Sequence, residues 1–191
     1  SLFDQESQGK RTVQLSLPKG TKLETFSGSS SLGDVTLSNL SAKNADFSLS
    51  NGSLTVNDSQ FASGNFKNSL GEITNNTQIS SGKINASSGT ITLSNSQFAS
   101  GEIANSLGEV NLNSSKISDS TLKISSGSLN SEQLELAGTI SITDQLGDIN
   151  LHLVSGSLSQ LSFDLKTDLG EIDIPSGMNV EHTKGDDVGD S

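Results

Sequence analysis

Apolar residues in this chain are sparse but regularly placed. A glycine recurs as Gly33, Gly52, Gly71, Gly89, Gly108, Gly127, Gly147 and Gly170, at steps of 19, 19, 18, 19, 19, 20 and 23. Two residues after each glycine stands an aliphatic: Val35, Leu54, Ile73, Ile91, Val110, Leu129, Ile149 and Ile172. Two residues further on most repeats carry another, with Asn75 and Ser131 as the exceptions. Such short period-two alternation predicts a strand with one buried face. A second column of small residues (Ala45, Gly64, Gly82, Gly101, Ser120, Gly138, Gly156) is also followed by apolar residues two positions on, from Phe47 and Phe66 to Ile140 and Leu158. A third apolar site lies between the columns, at Phe61, Ile79, Phe98, Ile117 and Leu136. Each repeat thus has three inward-pointing stretches separated by polar corners, which predicts a triangular or flattened coil.

A repeat near 19 residues is too short for helix pairs and lacks helical spacing, and the leucine-rich-repeat consensus is absent. The fold class predicted is all-β, a single-stranded parallel β-helix (β-solenoid) of about eight coils. With strands ~4.8 Å apart, the stack forms a rod of roughly 35–40 Å. Corner glycines supply positive φ or close approach. Asn39, Asn57, Asn76, Asn95 and Asn113 are expected to do likewise, or to form side-chain ladders. A two-coil unit is superimposed. The residue before the first-column glycine alternates (Leu32, Asn51, Leu70, Ser88, Leu107, Ser126, Leu146), and the residue after it alternates in step (Asp34, Ser53, Glu72, Thr90, Glu109, Ser128, Asp148). Carboxylates facing outward on alternate coils avoid repulsion at one-coil spacing. The segment from Ser59 to Ile73 nearly repeats from Ser96 to Val110, consistent with duplication of that unit.

Residues 1–10 show no pattern and are predicted to be a disordered lead-in, residues 11–176 the solenoid, and residues 177–191 an acidic flexible tail. Val13, Leu15 and Leu17 predict a strand, followed by a turn at Pro18-Lys19-Gly20, that covers the N-terminal end of the stack. Leu161, Phe163 and Leu165 predict an added strand near the other end, where a bare edge invites pairing with another chain.

Composition narrows the functional classes. Of 191 residues only 30% are hydrophobic, which suits a thin elongated core. The net charge of −11 and a single arginine, Arg11, argue against nucleic-acid binding and against docking on anionic lipid. With no cysteine there is no disulfide framework, thiolate chemistry or zinc–cysteine site. No stretch reaches the ~20 apolar residues of a membrane span. The chain opens at Ser1 without methionine or signal peptide, so it reads as a fragment, with any anchor expected outside it.

No catalytic, cofactor-binding or metal-ligating residue is expected. Enzymes built on parallel β-helices cluster Asp, Lys or Arg in a lateral groove. This chain has one arginine, no tyrosine and no tryptophan, and its phenylalanines fall mostly on the inward register. His152 lies between two leucines of an alternating strand and points outward; His182 sits near the acidic tail, and both are read as isolated histidines. No G-x-S-x-G elbow is present. Asp186, Asp187 and Asp190 are calcium-compatible oxygens, but the nonapeptide calcium-binding repeat is missing, so a solvated acidic face is expected. The outward column Thr36, Thr55, Thr74, Thr92, Asn111, Asn130 and Asn150 reads as ordinary strand-face polarity, since only Thr90 and Thr92 form an ice-binding-type pair.

The opening Val13-Gln14-Leu15-Ser16-Leu17-Pro18-Lys19-Gly20, followed by repeated S-x-G-[DE]-[IV]-x-[IL] coils, resembles a bacterial adhesin-type domain family of unknown function, and more loosely the head domains of autotransporter adhesins. The likeness spans about Lys10 to Ile174. It implies a β-helix, often right-handed, exposed outside the cytoplasmic membrane and frequently preceded by an anchor, and it carries over no catalytic residue. The function expected is a non-enzymatic interaction module at the bacterial cell surface or envelope. Its expected partners are a host or cell-wall glycan or protein, or another copy through the solenoid ends, with membrane attachment only through an anchor outside this fragment. The alternatives are a self-assembling scaffold or envelope-stress regulatory module and, far behind, a carbohydrate-active enzyme.

Overall fold

The computed structural model describes residues 12–154 and 161–174. The lead-in, the tail with His182 and its aspartates, and the Gly156–Leu158 part of the second column lie outside the described residues. All regular structure described is β, and all of its strand pairings are parallel. One sheet has nine strands, running from Thr12–Ser16 through Asp34–Ser38, Leu54–Asn57, Gly71–Asn75, Thr90–Ser94, Val110–Asn113, Leu129–Glu132 and Ile149–Asn150 to Ile172–Asp173. The other sheet holds the two remaining inward stretches of each coil, as in Gln60–Asn68, which carries both Phe61 and Phe66. Two of the three predicted stretches are therefore halves of one sheet, with the small-residue column between them. Successive coils pair residue on residue at the predicted spacing, giving a β-solenoid of about eight turns.

The inward columns stack as expected. Ile91, Val110, Leu129 and Ile149 are each fully buried on the first face, as are Ile84, Ile103 and Leu122 on the second. Burying each such side chain contributes about 1.5–3 kcal/mol. Corner glycines permit the stacking: Gly52 and Gly108 have φ of 122° and 124°, and a Cβ on either would overlap the carbonyl oxygen of Gly33 or Gly89 one coil away.

The next corner uses a different device. Asn39, Asp58, Asn76, Asn95, Ser114 and Gln133 take left-handed conformations, with φ between 48° and 56°. Asn57 and Asn113, expected in this role, instead end their strands, and the turn falls one residue later. Inside the corner runs a buried column of Ser59, Thr77, Ser96 and Ser115. The amides of Leu40, Thr77 and Ser96 donate to the hydroxyls of Ser59, Ser96 and Ser115 one coil on, at 3.1–3.2 Å. The hydroxyls of Ser59, Ser96 and Ser115 each donate to the carbonyl two residues back, at 2.8 Å. Leu40 and Leu134 occupy the equivalent corner position before and after this column. Ser96→Ala strips the Thr77 amide of its buried acceptor and is expected to lower stability by about 1–3 kcal/mol in urea unfolding.

Four expectations are corrected. The strand Leu161–Leu169 is not an addition to the stack: Leu161 pairs with Gly138 and Phe163 with Ile140, the places expected for Gly156 and Leu158, so it is the next regular strand of the second sheet. The opening segment is not a separate cover: Thr12–Ser16 and Leu23–Ser30 pair in parallel with Asp34–Ser38 and Ser41–Leu49, so it is itself the first coil. In the second sheet a bulge opposite Asp119 absorbs an extra residue, so Leu122 pairs with Ile142 and Ile140 faces Ser120. The largest correction is at the third coil. Leu54 and Ile91 both pair with Glu72, not with Ile73. Glu72 and Thr74 point inward and are buried, whereas Ile73 is 43% exposed and Asn75 is outside. The cause is the one short step in the repeat. From Leu49 to Leu54 the corner spans five residues, but from the equivalent Asn68 it reaches the paired position at Glu72 in four. Removing one residue before a strand flips every side chain to the other face.

Candidate interaction ridge

The corner that bears the first glycine column inverts the usual distribution of polar and apolar side chains on alternate coils up to Leu146, and again on the next coil at Leu169. Three residues before the glycine, the stacked positions read Ser30, Leu49, Asn68, Ala86, Asn105, Ile124, Asp144 and Thr167. All but Ser30 are buried. Coils that place a polar residue there carry a leucine immediately before the glycine and an acid immediately after it, as Ser/Asn/Asp/Thr-x-Leu-Gly-Asp/Glu. Those leucines are exposed: Leu32 by 56%, Leu70 by 49%, Leu107 by 57%, Leu146 by 51% and Leu169 by 69%.

The inward polar side chain ties the corner together. Asn105 Nδ2 donates to the carbonyls of Gly89, at 2.9 Å, and Glu109, at 3.2 Å. Thr167 Oγ1 donates to the Gly147 carbonyl at 3.3 Å, and Asn68 Nδ2 to that of Gly71. On the coils of Asn68, Asn105 and Thr167 the inward group thus hydrogen-bonds corner carbonyls, and the adjoining leucine is exposed. Asn105→Ala, which removes both bonds, is expected to lower stability by about 1–3 kcal/mol in chemical denaturation.

The intervening coils leave notches at Asn51, Ser88 and Ser126. Between Leu32 and Leu70, floored by Gly52 and flanked by Ile73 and Thr90, lies an almost wholly apolar groove of about 560 Å³. Carboxylates run beside the leucines. Asp34 accepts from the Ser53 hydroxyl at 2.8 Å and amide at 3.2 Å; Asp148 accepts from the Glu171 amide at 2.9 Å. Ser53 on the intervening coil thus supplies two donors to Asp34, whereas Asp148 is served by the amide of the next acidic coil. Glu109, Asp148 and Glu171 belong to none of the ion pairs among the described residues, whose lysines pair elsewhere. Glu72, expected in this outward row, is absent from it because its strand has slipped.

Among the described residues two carboxyl groups are enclosed. Burial pushes the Glu72 carboxyl up to about 8, and neither of its oxygens has a hydrogen-bond partner. Burial also raises Asp144, to about 6; the nearby Leu146 amide offsets part of this without a well-formed hydrogen bond, and Asp148 adds to the rise. His152 faces outward as expected but is not isolated, since its Nδ1 lies 3.0 Å from Glu132 Oε1 on the neighbouring coil. The outward face of the nine-stranded sheet carries Thr36, Thr55 and Thr92, then an amide ladder from Asn150 to Asn130 to Asn111, at 3.1 and 3.3 Å. Thr74 is not in this column, since it points into the core. Among the described residues no group of three or more His, Asp or Glu side chains is placed to hold a metal ion.

These features define a parallel β-solenoid with a row of exposed leucines along one corner. The chain belongs to the Toastrack DUF4097 family, whose model matches residues 2–189. Comparison with curated proteins and with solved structures found no match.

Proposed function

We propose that this chain is a non-catalytic interaction module of the bacterial cell surface, of the adhesin type, that binds through the side of its solenoid. The observation that carries the reading is the corner inversion. On five coils a leucine is exposed next to an inward polar group, against the ordinary preference of both. Departures of this kind from local sequence–structure consistency concentrate at functional positions, and contiguous exposed apolar surface marks interaction sites. Burial supports the non-catalytic part: among the described residues the two carboxyl groups with raised pKa, Glu72 and Asp144, point into the solenoid and not into the groove. The extracytoplasmic placement draws support from the likeness to adhesin-type domains.

Labelled protein added to intact bacteria and to host or envelope material tests the reading. Saturable labelling competed by unlabelled protein is the expected result; labelling that never saturates rejects it. A second reading, end-to-end assembly into a scaffold, is favoured by one observation: the strands Thr12–Ser16 and Ile172–Asp173 each pair on one side only within the described residues. Light scattering over a concentration series separates the two, since a constant mass rejects assembly.

A further inference from the structure

We infer that the leucine–carboxylate ridge is a docking site for a basic amphipathic α-helix of a partner protein lying along the solenoid axis. This rests on the interaction-module reading and names its partner class.

Three observations select that occupant. The first is spacing. Leu32, Leu70, Leu107 and Leu146 lie on alternate coils, ~9.6 Å apart, twice the strand spacing, with a smaller polar residue on each coil between them. Two turns of an α-helix rise ~10.8 Å. A helix laid along the ridge therefore meets a leucine, a notch and the next leucine on successive turns. The mismatch of roughly 1 Å per leucine interval accumulates to about 3–4 Å between Leu32 and Leu146, so the close apolar fit falls at the Leu32–Leu70 groove, and the carboxylates beside Leu107 and Leu146 act on the rest of the helix through charge. An extended strand, with same-face residues ~6.8 Å apart, falls out of step at once. The second is the groove between Leu32 and Leu70, which is apolar and large enough to accept a bulky apolar side chain from the middle turn. The third is charge. Glu109, Asp148 and Glu171 flank the leucines with no lysine or arginine paired to them among the described residues, and the whole chain carries −11. A second copy of this chain would set acid against acid, and an anionic lipid surface would be repelled. A helix with leucines at i, i+3, i+4 and i+7 and lysines on its flanks satisfies both the apolar and the charged rows.

The test uses a synthetic leucine–lysine peptide with that spacing, a scrambled peptide of equal composition, and a leucine–glutamate peptide. Binding to the full chain is read by fluorescence anisotropy at low and high salt. The patterned basic peptide alone should bind. The Leu32→Ser/Leu70→Ser double variant should weaken it about tenfold or more, and Glu109→Gln/Asp148→Asn should flatten its salt dependence. All four residues are exposed or partly exposed, and circular dichroism confirms that the variants fold. Equal binding of the scrambled peptide, or unchanged affinity in both double variants, overturns the inference. So does binding that appears only after residues 1–11 are removed, which would make that segment the occupant. If the double variants lose no cell labelling and the patterned peptide does not bind, this inference fails while the interaction-module reading stands; loss of all saturable cell labelling by the wild-type chain removes that reading itself.

Discussion

Glu72→Gln is expected to make the protein markedly more stable at pH 8 and to leave it little changed at pH 4. The Glu72 carboxyl is enclosed, has no hydrogen-bond partner, and is held neutral up to about pH 8 by burial. In the unfolded chain the same group ionises near 4.5. Below pH 4.5 it is protonated in both states and adds no pH dependence. Between 4.5 and about 8 only the unfolded chain has released the proton, so rising pH favours unfolding. At ~1.4 kcal/mol per unit, this window corresponds to a loss of order 5 kcal/mol across its width, and about 3 by neutral pH. Asp144 has the same sign, with its window between 3.8 and about 6. Urea midpoints at several pH values check this. Wild-type stability should fall from pH 4.5 to 8, Glu72→Gln should lose most of that slope, and Glu72→Leu should be the most stable at pH 8. A wild-type stability that rises through this window would place Glu72 in solvent.

Ile103→Asp is expected to remove the cooperative thermal transition, whereas Glu102→Gln, one residue away, should shift stability by less than about 1 kcal/mol. Ile103 is fully buried between Ile84 and Leu122 of the adjoining coils. A carboxylate there forfeits the apolar contacts and adds an unpaired buried group, a combined loss of at least about 4 kcal/mol. Glu102 points the other way, with Oε2 3.4 Å from Lys123 Nζ, and exposed pairs of this kind contribute little. Thermal melts followed by circular dichroism read both, and comparable effects at the two positions would contradict the period-two assignment of this strand.

Much of the fold was legible because a solenoid writes its contacts into its period. Ile91, Val110, Leu129 and Ile149 stand at equivalent sequence positions and stack in space for the same reason. Where the period falters, legibility fails. The 18-residue step leaves open where the missing residue is taken up. Aligning glycines puts Ile73 inside; the structure shortens the corner before it and buries Glu72. Likewise the extra residue near Gly138 enters a bulge that spacing alone does not locate. The ridge was half legible. Alternation of Leu32, Leu70, Leu107 and Leu146 with polar residues is visible in the sequence, but an exposed leucine cannot be told from a buried one without its inward counterpart. The signal that could have revealed it lies two residues upstream, where Ser30, Asn68, Asn105 and Asp144 alternate with Leu49, Ala86 and Ile124. The buried hydroxyl column had a fainter mark, a Ser or Thr two residues beyond the strand's last inward-outward pair.

Because the chain has no cysteine, paired cysteine substitutions on adjacent coils report the stack without background. Thr36 pairs with Thr55, and Thr55 with Ile73, all facing outward on neighbouring parallel strands at a separation a disulfide spans. Oxidation should close Thr36→Cys/Thr55→Cys and Thr55→Cys/Ile73→Cys as intramolecular bonds, and leave Thr55→Cys/Thr74→Cys open because Thr74 points into the core. Closure of the Thr74 pair in place of the Ile73 pair would contradict the slipped third coil, and failure of the Thr36–Thr55 pair would contradict the stacked solenoid itself.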